Sequence, residues 1–123
     1  MGPESAGAHP GPVCYRKEGH LTITDANLLL GRLLPEYFPK IFGPNENEAL
    51  DFAATKQAFE ALTDEINEHN KKHGISLISI YECALGFIKV ANETMSRPIR
   101  SLTQARGFNP KNHILDIFGG AGA

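Results

Sequence analysis

Neither sign of charge dominates this chain of 123 residues: 12 lysines and arginines stand against 14 aspartates and glutamates, a formal net charge of −2. Without a basic excess there is no electrostatic case for binding nucleic acid or a membrane surface. No apolar run is long enough to cross a bilayer. The opening residues, Met1-Gly2-Pro3-Glu4-Ser5-Ala6, lack the basic start and apolar stretch of a secretory signal. Cysteine is scarce. Cys14 and Cys83 lie far apart without metal-ligand spacing, which favours two thiols in a reducing compartment over a single disulfide. These absences point to a cytoplasmic protein and leave its function open. What is present is 41% hydrophobic and 21% charged, an ordinary balance for a globular chain with a modest core.

Residues 1–20 differ from the rest. They hold Gly2, Gly7, Gly11 and Gly19 with Pro3, Pro10 and Pro12, so no helix runs through them. The stretch is either a flexible tail or a loop clamped by its neighbours, and composition alone favours the tail. Residues 21–24, Leu-Thr-Ile-Thr, read as a short strand. Asp25 then stands where it can N-cap a short helix over residues 26–34, which Pro35 ends. Residues 38–44 form a loop whose aromatics are expected to pack against a larger body.

Two long helices follow. Asp51 opens the first, with Phe52, Thr55, Phe59, Leu62 and Ile66 on one face and Gly74 after its last turn. His69 and His73 are spaced i, i+4, but no third metal ligand is evident and a solvated helix end is the simpler reading. Ser79 and Glu82 make a capping box for the second helix. Its stripe runs through Ile80, Ala84, Phe87, Ile88, Ala91, Met95, Ile99 and Leu102, with Met95 as core filler. Pro98 predicts a kink or break near residues 94–97. Arg97, Arg100 and Arg106 suit phosphate, though cations complementing the helix dipole are the simpler reading.

The chain closes with an apolar run at 114–118, read as a short buried strand, and then Gly119, Gly120, Ala121 and Gly122. Such a turn usually leads into a helix whose first N–H groups can hold a phosphate. Taken alone it is also an ordinary turn or a frayed end. With so few strands for so many helices, and so abrupt an end, the expectation is a piece of a larger protein whose remaining strands lie elsewhere.

Four blocks taken together resemble the hydantoinase/5-oxoprolinase family, and within it the ATP-dependent 5-oxoprolinases. They are residues 2–15 (GPESAGAHPGPVCY), 24–33 (TDANLLLGRL), 84–93 with the following RPIR at 97–100, and Phe118-Gly119-Gly120-Ala121-Gly122. The resemblance covers nearly the whole chain, and four blocks in order at sensible spacing make it specific. It implies an α/β fold: part of an actin-like ATPase lobe, helix-rich with few short strands. Residues 1–123 would form one partial domain, a Gly/Pro-rich loop at 1–20 and a helix-rich lobe at 21–123.

The implied reaction opens the lactam of 5-oxo-L-proline to L-glutamate with ATP and Mg²⁺; relatives open hydantoins or carboxylate ketones. A lactam is resonance-stabilised, and ATP can activate it by phosphorylating the amide oxygen. The resemblance places Gly119, Gly120, Ala121 and Gly122 in the nucleotide pocket. It also turns residues 1–20 into an ordered loop at the active cleft, with Glu4, Ser5, His9, Asp25 and Asn27 as its candidate residues.

For Asp25 a catalytic carboxylate and a helix cap stand side by side. Cys14 is a nucleophile or, more simply, a buried inert thiol. The sequence does not disclose the catalytic base or the metal ligands. The family's Asp-x-Gly-Gly-Thr phosphate loops and its downstream catalytic region are not in this chain, and residues 18–20 read Glu-Gly-His where the family more often has Gly-Gly-Pro. The chain by itself is therefore expected to be inactive, with a cyclic amide and the remainder of the parent enzyme as its partners. The alternatives are a helical interaction module that binds a partner or itself, and a subunit that complements another chain.

Overall fold

The computed structural model describes residues 5–114 and 116. Among them three α-helices carry the fold: α1 (Ile23–Leu29), α2 (Phe52–Lys72) and α3 (Ile80–Ala105), with 3-10 turns at Val13–Tyr15, Pro35–Tyr37 and Pro110–Asn112. The helix-rich character is as expected. The expected short strands are not found among the described residues, where β pairing is limited to isolated bridges, Pro12 with His20 and Phe42 with Glu48. The strand and glycine turn expected at 114–122 lie outside the described residues, apart from Ile114 and Asp116, which are exposed.

The strand expected at residues 21–24 is instead the start of α1. Thr22, not Asp25, is the N-cap, and Asp25 is the third helical residue, which closes a capping box on it. The β-branched pair Ile23 and Thr24 sits in the first helical turn, between the two residues whose reciprocal capping box fixes the helix start. The helix is also shorter than expected. It ends at Leu29, and Gly31 takes a left-handed φ of 72° just beyond.

The chain divides into two compact units, Met1–Ala91 and Asn92–Ala123. In the first, α1 serves two apolar clusters. Its Ala26 and Leu29 join Phe59 of α2 and Cys83, Ala84 and Ile88 of α3. Its Leu28 joins Cys14, Phe42 and Leu50. Phe87 meets Phe59 edge-on, with centroids 5.3 Å apart, and Tyr15 stacks on Phe42 at 4.6 Å. Phe42 is thus the aromatic that anchors its loop, while Phe38, also expected to pack, is exposed.

Helix α2 follows its sequence signals. Asp51 Oδ1 accepts from the Ala54 N–H at 2.9 Å. Thr55 and Phe59 are buried, and Leu62 and Ile66 pack on the same cluster, while Phe52 stays exposed. At the far end Gly74 has φ 67° and the Ile75 N–H reaches back to the Asn70 carbonyl at 2.8 Å, a left-handed helix stop. His69 and His73 stack at that exposed end, where His73 Nδ1 donates to the His69 carbonyl at 2.9 Å. Asn67 then brackets the chain: its amide donates to the Ile78 carbonyl and accepts from the Ile78 N–H, each at 2.9 Å. The Ser79–Glu82 box opens α3 as expected, at 3.2 and 3.4 Å.

In the second unit the helix is not broken before Pro98. Arg100 donates to both oxygens of Glu93 and to Ser96 Oγ, and Arg97 lies 3.9 Å from the same carboxylate. These partners bind the helix across the turn that proline deprives of an N–H. Met95 is not core filler: it is 61% exposed, and Ile99 and Leu102 of its stripe are exposed too.

One backbone approach in the first unit is tight. A Cβ at Gly19 would fall on the carbonyl oxygen of Gly11 and lie 2.9 Å from that of Pro12. Backbone cannot step aside as a flexible side chain can. Gly19→Ala is therefore expected to cost about 1–3 kcal/mol, measured by urea unfolding, and an unchanged midpoint would contradict the close approach.

Candidate functional site

Residues 5–20 of the Gly/Pro-rich segment form an ordered loop, and one side chain does most to order it. Asp25 is fully buried. Its Oδ2 accepts from the Val13 N–H at 3.1 Å, the Thr22 N–H at 2.9 Å and Thr22 Oγ1 at 3.1 Å. Its Oδ1 accepts from the Cys14 N–H at 2.9 Å and from Thr55 Oγ1 at 3.1 Å. All of these partners are donors, the set that a carboxylate accepts. The loop, α1 and α2 meet on this one group.

Arg16 makes the second clamp. Its backbone is left-handed, φ 61°, where a non-glycine residue is strained by about 1–2 kcal/mol. The turn aims the guanidinium at α2. Nε donates to the Ala49 carbonyl at 2.9 Å and a terminal nitrogen to Asp51 Oδ2 at 3.0 Å, with Glu48 at 3.7 Å. The Asp51 N–H donates to the Cys14 carbonyl at 3.0 Å and the Gly43 N–H to the Tyr15 carbonyl at 3.0 Å. Arg16 and Thr55 carry structural roles that sequence reading did not assign.

Between this loop and the start of α1 lies an open cleft of about 500 Å³. Tyr15, Leu21, Pro12 and Phe87 give it apolar walls, and Ser5, Thr22 and Thr24 also line it. Such a mixture suits a small ring with a few polar edges. Ser5 is engaged at its rim, accepting from the Gly7 N–H at 3.1 Å.

The candidate residues do not converge. Ser5 lines this cleft, while His9 lines a separate opening with Lys17. Asp25 forms the buried support beneath the loop. Asn27 is half-buried, and its carbonyl accepts from the Arg32 and Leu33 N–H groups after α1. Glu4, Gly119, Gly120, Ala121 and Gly122 lie outside the described residues. Among the described residues no group of three or more His, Cys, Asp or Glu side chains could hold a metal ion.

Cys14 has the character of an inert thiol. Burial pushes its ionisation far above the usual thiol range, and the neighbouring Asp25 carboxylate adds to the effect. Burial, then Cys14 and Asp25, likewise raises the Tyr15 hydroxyl. Cys83 is buried and free as well.

The hydantoinase/oxoprolinase family matches residues 1–123 of this sequence. The chain belongs to the hydantoinase/oxoprolinase family. It is 64% identical over 99% of its length to a protein named 5-oxoprolinase from Dictyostelium discoideum, of which it covers 10%. It is 59% identical over 99% of its length to 5-oxoprolinase 1 of Arabidopsis thaliana, again 10% of that protein. It is 37% identical over 98% of its length to the caprolactamase subunit alpha of Pseudomonas jessenii, covering 16% of it. The chain thus spans about a tenth of the length of the 5-oxoprolinases it matches. No solved structure matches it.

Two outcomes test the loop geometry. Asp25→Ala leaves buried N–H donors without a partner, and Asp25→Asn turns an amide donor toward them. Each is expected to destabilise the chain by about 3 kcal/mol, with Thr55→Val costing about 1 kcal/mol, all read by urea unfolding. For Cys14 the sign is set by its raised ionisation: the thiolate is scarce at mildly alkaline pH. Cys14 is expected to resist iodoacetamide in the native chain and to react once denatured, as peptide mass spectrometry reports. Rapid native labelling at Cys14 would contradict its burial.

Proposed function

We propose that this chain is the part of an ATP-dependent 5-oxoprolinase that forms one wall of its active cleft. The observation that carries this reading is the agreement, across nearly the whole chain, with proteins named 5-oxoprolinase in Dictyostelium and Arabidopsis. The reaction would add water to 5-oxo-L-proline and open its lactam to L-glutamate, as ATP becomes ADP and phosphate. The Pseudomonas relative is named for a larger lactam, so opening a cyclic amide is the chemistry these names share. The higher identity to the 5-oxoprolinases favours the five-membered ring over a hydantoin or caprolactam.

The described residues do not by themselves suit Mg-ATP. They bring together no cluster of metal-ligating side chains, and the Asp25 carboxylate is buried beneath its own donors. In this reading Gly119, Gly120, Ala121 and Gly122 belong to the nucleotide pocket of the longer polypeptide, an actin-like lobe acting in the cytoplasm. This chain's own part is to hold a mixed apolar and hydroxyl surface at Ser5, Tyr15, Thr24 and Phe87 in a fixed shape. A rigid loop of that kind orients a small ring without being chemically changed by it. A second reading, a subunit that completes an enzyme with another chain, is favoured by the word subunit in the Pseudomonas name.

A segment exchange tests the proposal. Residues 1–123 replace the matching segment of the Dictyostelium 5-oxoprolinase, and glutamate release from 5-oxo-L-proline is followed with Mg-ATP. The exchanged enzyme is expected to keep most of its activity, and the isolated chain to release no glutamate. A folded exchanged enzyme without activity would overturn the first reading. Turnover by the isolated chain would overturn the view that the segment depends on the rest.

A further inference from the structure

Among the described residues, the non-glycine positions with left-handed backbone are Arg16 (φ 61°), Glu18 (φ 56°) and Glu46 (φ 54°). All of them line a single opening of about 470 Å³, with His9, Lys17 and Pro44 completing its wall. Left-handed backbone is disfavoured for side chains of this size, and strain of this kind gathers where a structure binds something.

The charges are of both signs and are not all spent. Arg16 is engaged with Ala49 and Asp51. Lys17 Nζ donates to His9 Nε2 at 3.1 Å; an ammonium has donors only, so the ring nitrogen accepts and Lys17 keeps further donors free. Among the described residues Lys17, Glu18 and Glu46 form no salt bridge. The opening therefore offers one ammonium on one turn and carboxylates on that turn and on a second, at residues 17, 18 and 46.

We propose that this opening binds the zwitterionic head of a free α-amino acid, its carboxylate on Lys17 Nζ and its ammonium between Glu18 and Glu46. A simple anion would meet two carboxylates, and a simple cation would meet Lys17. A ligand carrying both charges at short separation satisfies both sides, and charge-assisted hydrogen bonds to each are the strong kind. The site is separate from the cleft beside Ser5 and does not depend on the ring-opening reading.

Titration followed by backbone amide NMR tests it, with L-alanine, N-acetyl-L-alanine and L-alaninamide as probes. The second lacks the ammonium and the third the carboxylate. L-Alanine is expected to shift the Arg16, Lys17, Glu18 and Glu46 signals saturably, and each capped probe to bind about tenfold more weakly or worse. Lys17→Gln and Glu46→Gln, both solvent-facing changes, are each expected to weaken L-alanine by about tenfold without altering distant signals. Equal response to all probes, shifts that never saturate, or unchanged binding in both variants would overturn the proposal.

Discussion

The Asp25 carboxylate is the constraint on which the rest of the described first unit depends. A buried carboxylate is costly unless hydrogen bonds replace its water. Here the replacement comes from three places at once: the 3-10 turn at Val13–Tyr15, the N-cap of α1 and the Thr55 hydroxyl of α2. Without it, residues 5–20 have neither helix nor ladder to order them, since their regular structure amounts to one 3-10 turn and one isolated bridge. The carboxylate therefore does for this loop what a sheet does for a strand. It gives the buried N–H groups a partner.

From this point the site follows. With Val13 and Cys14 fixed, Arg16 is carried to Asp51, Tyr15 is carried onto Phe42, and Gly19 is drawn against the Gly11 carbonyl. The loop then presents two faces. Toward α1 it leaves a cleft of apolar walls and hydroxyls, and toward the 43–48 turn it leaves an opening of mixed charge. The same carboxylate that organises both is closed to solvent, so it shapes the surfaces that meet a ligand without touching one.

Local signals are legible in the sequence because the chemistry that creates them is local. Asp51, Gly74 and the Ser79–Glu82 box each act within a few residues, and each is found where expected. The start of α1 is masked in the sequence because Ile23 and Thr24 are β-branched and favour a strand in isolation. The signal that decides it, Thr22 followed three residues later by Asp25, is a capping pattern hidden inside an apparent strand. The ordering of residues 5–20 is not legible from composition, since its partners lie 11 and 12 residues on at Asp25 and 33 and 35 residues on at Ala49 and Asp51. Thr55 falls on the apolar stripe of α2 by its spacing, yet its hydroxyl is what joins the hub. Periodicity also overstated the core: Met95 and Leu102 keep the helical phase of the stripe and are still exposed, because phase says which side a residue faces and not what covers it.

The central claim is that the Asp25 carboxylate turns a Gly/Pro-rich stretch into fixed structure. Native-state hydrogen exchange at the Val13, Cys14 and Thr22 amides tests it most directly. The account predicts that these three exchange as slowly as the Ala26 amide of α1 and the Leu30 amide that caps its end, through a shared unfolding event. Exchange at Val13 and Cys14 at the rate of a free peptide, with α1 still protected, would contradict it.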